Sequence, residues 1–122
     1  MKLRGVRGAT ACAGNGENEI MDAVKELWLA MCEQNSFAED DLAAVIFSST
    51  PDLSAIFPAA AVRALGWADT PLFGAAEIEP PGAVKRCVRI LALWNTDKGQ
   101  KDIKHVYLRE AAALRPDIAG KK

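Results

Sequence analysis

Four arginines sit in short segments among apolar or glycine neighbours: Arg4 and Arg7 in "LRGVRGAT", Arg63 in "PAAAVRALG" and Arg89 in "RCVRILALWNTD". A guanidinium is a rigid, permanently charged fork of N–H donors. It suits gripping carboxylates and donating into developing negative charge, and does not suit moving protons. Such a set points to binding a small anion. Counting by two from Cys87 places Cys87, Arg89, Leu91 and Leu93 on one face of a strand and Val88, Ile90, Ala92 and Trp94 on the other, so both faces are mostly apolar. A guanidinium buried without a partner is strongly destabilising, so Arg89 is expected to meet an anion, from the protein or from a ligand. By pattern alone Arg4, Arg7 and Arg63 are equally compatible with solvated or ion-paired roles. Glu77 in "GAAEIEP" and Tyr107 in "HVYL" are further groups able to serve a site, although a strand-end glutamate and a half-buried tyrosine are commonplace.

Other chemistries lack their residues. The glycines at 8, 14 and 16 do not make a dinucleotide-binding fingerprint, no phosphate-loop lysine is present, and "SST" lacks the glycine flanks of a nucleophile elbow. His105 is the single histidine, which disfavours a histidine metal site or a serine–histidine relay, and it is assigned no chemistry. Cys12, Cys32 and Cys87 are odd in number and form no CxxC pair, so no disulfide framework or zinc site is expected and a reducing cytoplasm fits. Net charge is -1, against nucleic-acid binding through a broad basic surface. The chain goes straight into "KLRGVRGATA" with no apolar signal core, and no run approaches membrane-spanning length, so neither export nor insertion is expected.

With 122 residues, half of them hydrophobic, one domain over residues 1–122 is expected, with a fraying tail over about 117–122. A core of this size leaves little depth for an enclosed pocket, which favours a site at a subunit boundary. The elements that must position the arginines are read as follows. Residues 2 to 11 form a first strand; "AGNGEN" turns into an amphipathic helix over about 18–34, with Ile20, Val24, Leu27, Trp28 and Met31 on its apolar face. Ser36 and Glu39 have capping-box spacing for a helical turn through Asp41, and "AAVIFSST" is a second strand. Pro51 and Pro58 stand where helices can begin, the second running to a stop at Gly66. "LFGAAEI" and "VKRCVRILALWN", joined by the "EPPG" turn, are expected as an antiparallel pair, "DKGQKDIK" as a polar connection, and "HVYLRE" as a last strand. The fold class is α+β, a mixed sheet with helices packed on one side.

"RGVRGAT", "STPDLSAIFPAAAVRALGW", "RCVRILALWNTD" and "HVYLREAAALRPD", in this order, together resemble the monofunctional chorismate mutases of the AroH class, and with their connections they cover almost the whole chain. The resemblance implies a homotrimer forming a pseudo-α/β barrel, with sites in the clefts between subunits, and the Claisen rearrangement of chorismate to prephenate without cofactor or metal. It implies that Arg89 donates to the ether oxygen, that Arg7 and Tyr107 hold a substrate carboxylate, and that Glu77 accepts from the substrate hydroxyl. Phe57 and Arg63 match positions contributed across the subunit boundary, Gly74 a position donating through its backbone, and Cys87 an apolar wall of the pocket. Ala60 stands where some members carry a lysine, and Gly74 where some carry a cysteine. Two other functions are compatible with a trimer of this kind: a non-catalytic binder of a small carboxylate metabolite, and an enamine or imine deaminase.

Overall fold

Strand β1 (Lys2–Ala11) is followed by helix α1 (Glu17–Asn35), strand β2 (Leu42–Ser49), helix α2 (Ala59–Ala64) and strands β3 (Leu72–Ala76), β4 (Cys87–Thr96) and β5 (Val106–Tyr107). This computed structural model describes residues 1–115; the tail expected to fray lies outside the described residues. The strands form one mixed sheet in the order β3-β2-β4-β1-β5. β4 runs antiparallel to both β1 and β2, while β3 joins β2 and β5 joins β1 in parallel.

The apolarity of both faces of β4 follows from this order, because a central strand has neighbours on each side and little solvent on either face. Val88, Ile90, Ala92 and Trp94 are buried in the main core beneath α1 and α2, together with Val6, Val45 and Phe47. α1 supplies Ile20, Val24, Leu27, Trp28 and Met31 from one stripe, each fully buried. It lies close against β1 at Gly8, where an added Cβ would collide with the Met31 sulfur and force that buried side chain to shift. The opposite face of the sheet carries Leu3, Arg7, Ile46, Phe73, Arg89 and Leu91, and it is the more open one.

Several local expectations are corrected. β3 and β4 are not a hairpin: β3 pairs with β2, so the chain from Glu77 to Arg86 passes the end of β2 to reach β4, which begins only at Cys87. Ser36 does not cap the turn at Glu39–Asp41; it ends α1 in a left-handed conformation with φ 58°, its N–H bonded to Cys32 O. No helix begins at Pro51, where the chain makes a turn. The last strand is confined to Val106–Tyr107, after which Arg109–Leu114 winds into a 3₁₀ helix.

Candidate active site

Arg89 lies on the open face of β4, and its side chain is half exposed rather than buried. The anion that meets it within the chain is Glu77, whose Oε1 accepts from Arg89 Nε at 2.8 Å. Arg89 pairs with Ser48 of β2, and the N–H of Glu77 donates to Ser49 O at 3.0 Å, so β2 sets the spacing of the two charges from between them. The Glu77 side chain is only 18% exposed, and its second oxygen, Oε2, is buried without a hydrogen-bond partner among the described residues. A buried carboxylate oxygen normally has a donor, so this atom marks a place where a donor belongs.

Beside the pair, Arg7, Ile46, Ser48, Tyr107 and Leu114 line a cavity of about 320 Å³. The neighbouring β1 brings Arg7 there, opposite Leu91 of β4. The Arg7 N–H donates to His105 Nδ1 at 2.9 Å, which fixes the imidazole as an acceptor on that nitrogen. Burial, with the nearby Arg7 and Arg115 cations, holds the His105 pKa below its ordinary value, so the ring is neutral at pH 7. Tyr107 is placed by β5, and the segment before it is tied to the end of α1: Asn35 Nδ2 donates to Lys104 O and Asn35 Oδ1 accepts from Lys104 N–H, each at 2.9 Å. Cys87 packs in a small cluster with Ala9 and Ala111, and Tyr107 borders it. Burial pushes its thiol up to about 11 despite the neighbouring Arg89, so it is neutral at physiological pH.

The remaining sequence candidates lie elsewhere. Phe57, 77% exposed, and Gly74 line a second cavity of about 470 Å³ between β3 and the loop before α2. In strand alternation Gly74 pairs with Phe47, whose side chain is in the helix-side core, so this cavity opens on the face opposite Arg89. It is the larger of the two, yet no charged side chain lines it. Arg63 is exposed near the end of α2 and lines neither cavity. A single chain therefore gathers Arg7, Glu77, Cys87, Arg89 and Tyr107, and leaves Phe57, Arg63 and Gly74 apart. Among the described residues no group of three or more His, Cys, Asp or Glu side chains is placed to hold a metal ion, and no helix is long and apolar enough to cross a membrane.

Sequence reasoning missed the groups behind this arrangement. Ser49, Thr50 and Asp52 anchor Glu77 and the start of β4 through hydrogen bonds, and His105 anchors the Arg7 backbone. Thr-Pro-Asp reads as turn chemistry, which announces a loop and not what the loop holds.

The family described as chorismate mutase type I matches residues 3–118. The chain belongs to the chorismate mutase type I family. It is 47% identical over 117 residues to the chorismate mutase AroH of Thermus thermophilus, a match covering 95% of this chain and 96% of the relative. Identity to the chorismate mutase AroH of Bacillus subtilis is 40% over 120 residues, covering 98% and 94% of the two chains. A chorismate mutase structure from Clostridium thermocellum superposes with a TM-score of 0.87 at 44% identity, covering 90% of this chain and 98% of that one. Among chorismate mutases, then, both the sequence and the mixed-sheet fold have near relatives.

Proposed function

We propose that the protein is an isomerase that rearranges chorismate to prephenate, in phenylalanine and tyrosine synthesis, at sites formed between the subunits of a cytoplasmic homotrimer. Family membership and the full-length relatives support the activity. The observation that carries the site is the Arg89–Glu77 pair with its unpartnered buried carboxylate oxygen.

The reaction breaks the ether C–O bond as a new C–C bond forms within one molecule. No proton, electron or covalent enzyme adduct is required, so no cofactor or metal has a role. What the protein must supply is a compact substrate conformer and stabilisation of the negative charge growing on the ether oxygen. Arg89 is the donor to that oxygen, and its preorganisation by Glu77 means little rearrangement is needed as charge develops. Glu77 Oε2 accepts the substrate hydroxyl, and the carboxylate faces the ring that gains positive character. Arg7 grips a substrate carboxylate with help from the Tyr107 hydroxyl, while Cys87 closes the apolar end.

Phe57 and Arg63 complete the site from a neighbouring copy, and Gly74 is the position that donates through its backbone. Two features support a trimer: these residues lie away from the Arg7–Arg89 cavity within one chain, and the open sheet face exposes Leu3 at 52% and Phe73 at 65%. The free thiols of Cys12, Cys32 and Cys87 fit a reducing cytoplasm.

The test is the loss of chorismate absorbance on mixing with purified protein in the presence of a chelator, with acid conversion of the product to phenylpyruvate. Metal-independent turnover to prephenate is expected. Binding of chorismate without turnover would replace this reading with a metabolite-binding one.

A further inference from the structure

The start of β4 is held by an acidic clasp whose members do not line the substrate cavity. Arg86, the residue before β4, has φ 48°, a left-handed backbone that a bulky residue adopts only when its surroundings impose it. The Asp52 carboxylate imposes it from one side, accepting the Arg86 N–H at 2.9 Å through Oδ2 and at 3.2 Å through Oδ1. From the other side, Cys12 donates its N–H to Arg86 O at 2.7 Å and accepts from Arg86 Nε at 3.0 Å. Thr50 links the clasp to the strand: its hydroxyl donates to Asp52 Oδ1 at 2.5 Å and accepts the Cys87 N–H at 2.9 Å, and its own N–H donates to Cys87 O at 3.0 Å. Burial raises the Asp52 pKa, but the hydrogen bonds from Thr50 and Arg86 outweigh it and hold the group below the usual carboxylate value, so it accepts as an anion at neutral pH.

The same short segment also sets Glu77. Ser49 O receives the Glu77 N–H, and Thr50 and Asp52 follow directly in the chain. Residues 49–52 thus register both ends of the Arg89–Glu77 pair at once, one through β3 and the other through Arg86 and Cys87.

We infer that Asp52 is a positioning residue for the rearrangement: it holds Arg86 in its strained conformation and so fixes where β4 begins and where Arg89 stands relative to Glu77. This rests on the reading that Arg89 and Glu77 are the working pair. A displaced transition-state donor costs rate more than binding, because the ground-state grip of Arg7 on a carboxylate is untouched.

The experiment measures kcat and chorismate KM for Asp52→Ala, Asp52→Asn, Arg86→Gly, the double variant Asp52→Ala with Arg86→Gly, and Arg89→Ala, on material of verified wild-type oligomeric state. Asp52→Ala should lose kcat on the order of 10- to 100-fold with KM nearly unchanged, the scale expected for a misplacement of about 1 Å. Asp52→Asn keeps one acceptor oxygen and should fall between it and wild type. Glycine takes φ near 48° without help, so Arg86→Gly alone should stay near wild type and the double variant should regain most of the lost rate. A merely structural Asp52 would lower the melting temperature and leave kcat per folded enzyme intact, which overturns the inference; so does a lost kcat that Arg86→Gly fails to restore. If Asp52→Ala does not fold, Asp52→Asn with and without Arg86→Gly gives the same decision. Wild-type activity in Arg89→Ala would instead overturn the reading of the pair, an outcome separable from failure of the clasp alone.

Discussion

Arg89 Nε and Glu77 Oε1 stand 2.8 Å apart across β2, Arg89 carried by β4 on one side of it and Glu77 by the residue that follows β3 on the other. Solvent at the half-exposed Arg89 screens the pair and keeps its contribution to stability small, so its worth lies in geometry. It fixes the guanidinium in one orientation and leaves the second carboxylate oxygen buried without a hydrogen-bond partner among the described residues.

That division of labour predicts different outcomes for two substitutions. Glu77→Gln keeps an acceptor oxygen but loses the charge facing the ring and the ionic hold on Arg89; Glu77→Ala loses all three. Steady-state kinetics should show both reduced in kcat, the alanine variant more severely, with the glutamine variant down by about 10-fold or more, the scale of a lost charge-assisted hydrogen bond. Equal and small effects would mean that Glu77 does not touch the substrate.

The proposed trimer, with Arg63 and Arg89 brought to one cleft by neighbouring copies, predicts complementation. Arg63→Ala and Arg89→Ala trimers should each be nearly inactive, but unfolding and refolding them together should yield mixed trimers in which about one quarter of the clefts pair an intact Arg89 with a neighbour's intact Arg63. Recovered activity on mixing is the expected result. If each site lay within one chain, mixing would recover nothing.

His105 offers a pH test with a single resonance to follow, since the chain has one histidine. Its folded pKa lies below the ordinary 6.5 because burial and the Arg7 and Arg115 cations disfavour the imidazolium. For a depressed folded pKa the stabilisation is fully present above the unfolded value and is lost as pH falls from 6.5 through the folded pKa. Protonation would also end its acceptance from the Arg7 N–H. The NMR titration midpoint should fall below 6.5, and a His105→Gln variant should lose less stability than wild type between pH 6.5 and 5. A midpoint at or above 6.5 would contradict the environment described for the ring.

The elements were largely legible in the sequence because their periodicities are strong. The 3.6-residue stripe from Ile20 to Met31 needs a sheet to cover it, and "AAVIFSST" has nowhere to go but into a core. Pairing was not legible. "EPPG" looks like a hairpin turn, yet β3 takes its hydrogen bonds from β2, because β4 is central and both its edges are occupied by β1 and β2. The two apolar faces of β4 carried that information, as a mark of a central strand. They also made Arg89 read as buried, since alternation cannot distinguish a core face from a face left open by the chain's own elements. The anionic partner of Arg89 sits just past the end of a different strand, and the left-handed backbone of Arg86 that precedes it arises from Asp52 and Cys12, distant in sequence. Nothing local to "KRCVR" foretells either.

The most direct test of the electrostatic account is kcat for Arg89→Ala against wild type, with chorismate as substrate and the oligomer confirmed intact. Removing a preorganised donor to the ether oxygen should lower kcat by on the order of 100- to 1,000-fold or more, with Arg89→Lys also badly impaired because a lysine lacks the planar fork. A folded Arg89→Ala protein turning over within a few-fold of wild type would contradict the assignment of transition-state stabilisation to Arg89.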